Sequence, residues 1–403
     1  YKIDGQDIAV QVLNLTVSKT LDWAIIVVIP NQDIFGFVYS SNNVIYGVIT
    51  GGLIVSIIAA IVLTLLITNP LSKLSNQMKD VSRMSLEMIT ENSSFLNEVY
   101  NIQMSFFSMV YALRSFKKYV PEAVIKNTMI TNQVATLGLV SKDATYFFLD
   151  IVDFTSLSEA LSPDDLLILI GGAMEELTNI IIENRGFVDK YIGDAIMALW
   201  NVPTKVDDAQ VLAVTAAIRC TEKLKMMDDE FEERGLPKVR CRIGVHHGHA
   251  LIGNFGSSQR LNYTALGDNV NLAARLEPLC KYYNVDVLIS GETRNLIKHR
   301  IVCRAVDIVT VKGRSQETVI YEPLALKSEA TTSHIAIETL SEEIIQDIKL
   351  MRTESAEKNI ASAMCVEGYE NDISLTMLRD RCITMKGRGE QKAFVNTFSE
   401  KHF

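Results

Sequence analysis

Read from its start, the chain alternates between stretches that keep apolar residues to one side and one stretch that does not. Residues 23–30, Trp23-Ala24-Ile25-Ile26-Val27-Val28-Ile29-Pro30, predict a β-strand that ends at a proline. No charged residue lies between Asp33 and Lys73. The centre of that gap, Val44 to Ile67, would form a helix about 36 Å long, enough for a hydrocarbon core of about 30 Å. Asn69-Pro70-Leu71 predicts its end. Leu71, Leu74, Met78, Val81 and Met84 then recur at three- and four-residue steps, an amphipathic helix. A helical pattern continues over residues 86–130 with Phe106, Phe107, Val110, Leu113 and Phe116, compatible with a paired coiled coil or a solvated linker helix.

From Ala144 the rhythm changes. Residues 146–151 predict a buried strand. Ser162-Pro163-Asp164 predicts a capped helix start with proline at its first position, the helix running to about Glu183. Residues 186–191 and 195–200 flank Ile192-Gly193-Asp194 as a hairpin. A long helix from Asp207 to Glu233, strands at 239–245 and 249–254, a helix from Asp268 to Tyr282 and short strands to Tyr321 complete the pattern. Strands interleaved with helices in this way predict an α+β fold of the ferredoxin-like, split-βαβ type. Beyond 326, Ile337, Leu340, Ile344, Ile348 and Met351 form an apolar helical stripe among acids. Arg379, Arg381, Lys386 and Arg388 cluster beside Gly387 and Gly389. This tail fits packing and partner binding equally.

Composition narrows the partners. With 403 residues the chain has room for several units, and a net charge of −9 without a basic stripe argues against nucleic acid. All six cysteines fall in the C-terminal half without a CxxC, which fits reduced thiols. Lys73, Lys79 and Arg83 follow the apolar span closely, whereas no Lys or Arg lies between Thr20 and Asn69. The positive-inside tendency therefore puts everything after Pro70 in the cytosol, behind a single membrane crossing. The chain opens at Tyr1 without methionine or a signal-peptide pattern, which reads as a fragment.

Two acids carry the candidate chemistry. Asp150 ends a predicted strand, and Asp194 sits at the tip of a hairpin expected to lie beside it. Two carboxylates brought together repel, and burying them costs several kcal/mol each. A divalent cation with hard oxygen ligands, Mg²⁺ or Mn²⁺, would relieve that cost. The strand-to-helix turn after Asp150 can turn backbone N–H groups toward a triphosphate. His246, His247 and His249 lack a neighbouring Cys or acid and read as structural.

Four segments carry a resemblance. Phe148-Leu149-Asp150-Ile151-Val152-Asp153-Phe154-Thr155, Lys190-Tyr191-Ile192-Gly193-Asp194, Gly244-Val245-His246-His247-Gly248 and residues 263–276 (Tyr263 to Leu276) resemble the class III adenylate/guanylate cyclase catalytic domain in order and spacing. The resemblance covers about residues 140–325. It implies that Asp150 and Asp194, with Ile151, hold two Mg²⁺ or Mn²⁺ ions per site. It implies that Asn271 and Arg275 orient the ribose and stabilise the transition state. Phe154, Thr155 and Lys312 would meet the triphosphate. Lys190 and Thr264 match the base-reading positions. A lysine there suits the adenine N1 acceptor, so ATP is the expected substrate. Thr264 stands where many members have Asp, which is similar to a subgroup common in bacteria. Asp153 stands where many have Gly, and is expected to face solvent. Since one chain carries every matched position, the resemblance implies a homodimer with shared sites.

The strand at 23–30 resembles the last strand of extracellular Cache sensor domains, with an unknown extracellular ligand. The helix after the span resembles a signal-relay helix. The expected organisation is a sensor remnant (1–43), a membrane helix (44–68), a helical linker (69–139), the cyclase domain (140–325) and a tail (326–403). A guanylate or mixed-specificity cyclase, or an inactive dimerisation module, would share most of these features.

Overall fold

A computed structural model describes residues 2–3, 6–18, 21–83, 85–86, 89, 94, 96–117, 119–120, 124–125, 136–311, 317–388 and 396–398. It falls into two compact units, residues 1–116 and 117–403.

In the first unit, β1 (Lys2–Ile3), β2 (Gln6–Ser18) and β3 (Leu21–Pro30) form an antiparallel sheet in that order. Val12, Leu15, Trp23 and Ile26 stand exposed on it. Helix α1 (Asn31–Leu63) follows β3 directly and runs through a π turn at Thr64–Thr68 into α2 (Asn69–Ser82). Asn69-Pro70 therefore does not end the helix as expected. Proline lacks the N–H and clashes with the carbonyl four residues back. The wider π turn, closed by the Asn69 N–H donating to the Thr64 carbonyl, takes up that misfit just ahead of Pro70. Residues Ser41–Ser82 are long and apolar enough to cross a membrane, and the most apolar part is wholly exposed. The helical pattern after it is interrupted. Among the described residues it resolves into α2 and α3 (Asn97–Phe116), rather than one helix over 86–130. Leu74, Val81, Phe106, Phe107 and Val110 are buried on these two helices, and Arg114 donates to the Leu86 and Ile89 carbonyls.

The second unit begins with β4 (Gly138–Ile151), α4 (Phe154–Ala160) and α5 (Pro163–Glu183). It continues with β5 (Phe187–Ile192), β6 (Ala195–Trp200), α6 (Ala209–Met226), α7 (Asp228–Glu233), β7 (Cys241–Gly256), β8 (Leu261–Leu266) and α8 (Asp268–Tyr283). Then come β9 (Val287–Ser290), α9 (Gly291–Ile297), β10 (Ile301–Val311) and β11 (Thr318–Leu326). Helices α10 (Thr332–Lys349), α11 (Thr353–Ala363) and α12 (Ile373–Arg388) and a short β12 (Asn396–Phe398) close it. The sheet order is β12-β10-β11-β9-β7-β4-β6-β5, with β8 paired to β7. The run β7-β4-β6-β5 is antiparallel with β4 and β6 at its centre, the ferredoxin-like order that the alternating pattern predicted.

Local chemistry explains several of these elements. Ser162 accepts from the Asp165 N–H and Pro163 opens α5, the cap its sequence predicts. On β4, Phe147 and Leu149 point into a core with Leu169, Leu177 and Ile181 of α5 and Ala213 and Ala217 of α6. Tyr146 points to the opposite face, against Met197, Leu199, Val270 and Ala273. Fully burying each such large side chain contributes roughly 1.5–3 kcal/mol.

Two boundaries differ from expectation. The predicted helix 207–233 breaks at Met227 into α6 and α7. The strands expected at 239–245 and 249–254 are one strand, β7, because β4 pairs with it continuously from Ile151↔Cys241 to Gly138↔Asn254. Residues 326–388 pack onto the same core, with Ile337, Ile344 and Ile348 fully buried.

Candidate active site

Strand β4 carries the first acid to its place. Its alternation buries Ile151 and turns Asp150 to the α8 side of the sheet. Leu149 pairs with Ile196 of β6, so the end of β4 runs level with the β5–β6 turn that carries Asp194. Gly193 enters that turn at φ 65°, a left-handed conformation that glycine adopts without a Cβ penalty. The two acids sense each other. Burial holds Asp194 above the ordinary carboxylate range, and the Asp150 charge and hydrogen bond add to the rise.

Two further residues belong here that the sequence did not single out. Arg242 of β7 is the register partner of Asp150. It donates from Nη2 to Asp150 Oδ2 at 3.1 Å and from Nε to Glu277 Oε1 at 3.0 Å. Burial works against the guanidinium charge, but Glu277 and Asp150 outweigh it and raise its pKa. Glu277 of α8 is pushed up to about 7, first by burial and then by the Asp150 charge, against the pull of Arg242. Asp150 and Glu277 thus share one guanidinium whose field also reaches Asp194, a grouping of acids that suits a cation. Among the described residues no group of three or more His, Cys, Asp or Glu stands in metal-holding geometry. A cation at Asp150 and Asp194 would complete its shell with oxygens from the Ile151 carbonyl, a substrate phosphate and water, as hard divalent ions commonly do.

A second cluster forms around the candidate base-reading pair. Lys190 Nζ donates to Thr264 Oγ1 at 3.1 Å. Thr264 Oγ1 in turn donates to Asp189 Oδ2 at 2.6 Å, and Lys190 Nζ lies 3.4 Å from the same oxygen. Asp189 and Lys190 are neighbours in a strand and would ordinarily face opposite ways. The β5–β6 register jumps from Val188↔Ala198 to Lys190↔Met197, leaving Asp189 as the extra residue of a bulge. The Asp189 side chain is 2% exposed and that of Lys190 36%. Burial raises the Asp189 pKa, while the Thr264 hydrogen bond and the Lys190 charge hold it down.

Helix α8 carries Asn271 and Arg275. It lies so close on β7 that a Cβ at Gly244 would collide with the Ala273 carbonyl and the Glu277 amide. At 100° per residue, Asn271 and Arg275 lie about 120° and about 160° around the helix from Glu277. The face that reaches Arg242 and Asp150 is therefore not the face that presents Asn271, which is exposed, and Arg275, which is half-buried. Phe154 is half-buried against the core at the start of α4, and Thr155 is exposed. Asp153 is exposed with φ 55°. Lys312 lies outside the described residues. His246 meets Ser290 and Asn269, and His247 meets Thr145 and Gln210, while His247 and His249 both lie near the Asp143 carboxylate, an acid that the local sequence did not place beside them.

The family described as Adenylate and Guanylate cyclase catalytic domain matches residues 140–322. The chain is 27% identical over 296 residues to adenylate cyclase 1 of Rhizobium meliloti (strain 1021), covering 73% of this chain and 44% of that protein. It is 35% identical over 231 residues to an adenylate cyclase of Anabaena cylindrica, covering 55% of this chain and 45% of that one. The chain thus spans less than half the length of either relative. Among solved structures it is similar to a bacterial light-regulated adenylyl cyclase, with a TM-score of 0.50 and 23% identity over 63% of this chain and 71% of that chain, a likeness of fold.

Proposed function

We propose that residues 140–322, which match the family described as Adenylate and Guanylate cyclase catalytic domain, convert ATP to 3′,5′-cyclic AMP and pyrophosphate in sites shared between two copies of the chain. The placement of Asp150 beside Asp194 carries this reading, since a partly buried Asp194 whose proton affinity is raised by burial and by the Asp150 charge calls for a cation. Asp150, Asp194 and the Ile151 carbonyl would hold two Mg²⁺ or Mn²⁺ ions. Bound there, the ions supply charge neutralisation at the triphosphate and lower the pKa of the ribose 3′-hydroxyl. The 3′-oxygen attacks the α-phosphorus and gives up its proton to solvent water. The bond from that phosphorus to the bridging oxygen breaks, and pyrophosphate leaves with the electron pair.

The chain's own residues supply the rest. Arg275 would offset charge developing on the α-phosphate oxygens, and Asn271 would hold the ribose. Phe154 and Thr155, at the first turn of α4, would meet the phosphates, and the family resemblance gives the same task to Lys312. The Lys190 ammonium, held by Thr264, supports ATP over GTP because it can only donate, and adenine N1 accepts. The separate faces of α8 support a homodimer in which one copy brings the acids and the other brings Asn271 and Arg275.

Lys73, Lys79 and Arg83, at the C-terminal end of the candidate membrane helix Ser41–Ser82 and just past it, support a cytosolic catalytic domain. The apolar hairpin β2–β3, leading directly into α1, supports a receptor whose sensor answers an extracellular ligand.

The test supplies the full chain in lipid nanodiscs with Mn²⁺ and either ATP or GTP. Cyclic AMP is expected from the wild type and none from Asp194→Ala. Cyclic GMP as the main product would overturn the substrate, and no product from either nucleotide would overturn the activity.

A further inference from the structure

The Asp189–Thr264–Lys190 cluster holds more information than a lysine that can donate to adenine. A threonine hydroxyl has one proton and two lone pairs, and on its own it can meet a base as donor or as acceptor. Here the proton is committed, since Thr264 Oγ1 donates to Asp189 Oδ2 at 2.6 Å. One lone pair accepts from Lys190 Nζ at 3.1 Å. Only a lone pair remains to face a base. Lys190 spends one proton on Thr264, holds a second within 3.4 Å of Asp189 and keeps a third.

We propose that Asp189 is a positioning residue for base selection: by accepting the Thr264 proton it fixes that hydroxyl as an acceptor, which favours adenine over guanine. The inference rests on the cyclase reading above. The adenine 6-amino group donates to the remaining Thr264 lone pair and adenine N1 accepts from Lys190. Guanine presents the reverse at both places, with O6 facing a lone pair and N1–H facing an ammonium. Two features suit Asp189 to this task. Its carboxylate is almost wholly shielded from water, so solvent does not compete for the Thr264 proton. The bulge between Val188 and Lys190 brings it onto the side of the strand that Lys190 uses. Simple neutralisation of Lys190 would put the shorter contact on the lysine, whereas the threonine has it.

The experiment measures kcat/KM for ATP and GTP with Mn²⁺ on the full chain, comparing wild type, Asp189→Ala, Asp189→Asn, Thr264→Ala and the Asp189→Ala/Thr264→Ala pair. Asp189→Ala should move the ATP-to-GTP ratio toward GTP by about tenfold, the worth of about one hydrogen bond. Asp189→Asn keeps one acceptor oxygen and the side-chain shape, and should fall between Asp189→Ala and wild type. In the Thr264→Ala background, Asp189→Ala should move the ratio no further, because its effect passes through the hydroxyl. Equal losses with both nucleotides in both Asp189 variants would overturn the proposal, as would an undiminished shift in the Thr264→Ala background. If Asp189→Ala does not fold, Asp189→Asn decides. A wild type that yields no cyclic nucleotide refutes the cyclase reading, and the ratio of equilibrium affinities for ATP and GTP across the same variants then decides the role of Asp189.

Discussion

Glu277 and Arg275 stand two residues apart on α8 and meet different surroundings. Glu277 is tied to Arg242 and shares the field of Asp150, and its pKa rises from 4.5 to about 7. The sign of the linkage follows from where the proton sits. Below about 4.5 the group is protonated in the folded and unfolded chain alike. As pH rises toward about 7 the unfolded chain releases the proton while the folded one keeps it, so the stability present at low pH is lost across that window. With divalent cations chelated, wild type should lose stability relative to Glu277→Gln between pH 4.5 and 7.5, by at most about 3 kcal/mol. Thermal melts of the two proteins across that range check this. A difference that stays flat would mean that Glu277 is not held protonated. Arg242 carries the same lesson at the neighbouring position, because a register partner of Asp150 on a distant strand fixes where that acid points.

At the scale of elements, the rotation of α8 bears on the proposed sharing of a site between two copies. Gly244 lets the helix settle on β7, and this contact sets its rotation. Glu277 then faces Arg242, and the Asn271 and Arg275 stripe is turned elsewhere. Mixing equal amounts of Asp194→Ala and Arg275→Ala chains should therefore restore activity that neither has alone. Random pairing makes half the dimers mixed, each with one intact site of two, so recovery to about a quarter of wild type is expected. Cyclic AMP measured after co-expression reads this directly, and no recovery would refute a shared site. The π turn before Pro70 shows another element shaped by one residue, since it allows the helix to pass a proline that would otherwise end it.

At the scale of the whole catalytic unit, the C-terminal helices are part of the core. Ile337, Ile344, Ile348 and Ile360 share a buried cluster with Leu177 and Val245, residues far away in the chain. Arg381 donates from both terminal nitrogens to the buried Asp307 of β10, which also accepts from Tyr283. Arg304 pairs with Glu322 and with Asp372, the latter at 2.9 Å. Removing one partner of a buried pair leaves a charge without compensation. Arg381→Ala should cost about 3–5 kcal/mol, seen as a lowered Tm. An unchanged Tm would mean that α12 is not anchored through this pair.

What the amino-acid sequence determined by itself is what near neighbours decide. Alternation along 146–151, the Ser162-Pro163 cap, the Gly193 turn and the charge-free run before Lys73 each rest on interactions within a few residues, and the strand, helix, hairpin and long apolar helix follow from them. A strand end and a hairpin tip placed Asp150 and Asp194 in the sequence, whereas Lys190 and Thr264 were singled out only by the family resemblance. Only the tertiary structure could decide the rest. A helix long in pattern broke at Met227, and Gly248 did not interrupt β7, because pairing with β4 along its whole length outweighed the local turn signal. Arg242 and Glu277 joined the acids through strand register and helix rotation, and Asp189 joined Lys190 through a bulge that adds one residue to a ladder. The apolar stripe of residues 337–348 announced that something must cover it, but only the folded sheet supplied the surface. Register, rotation and cover are relations between segments distant in the chain, and a local pattern carries no record of them.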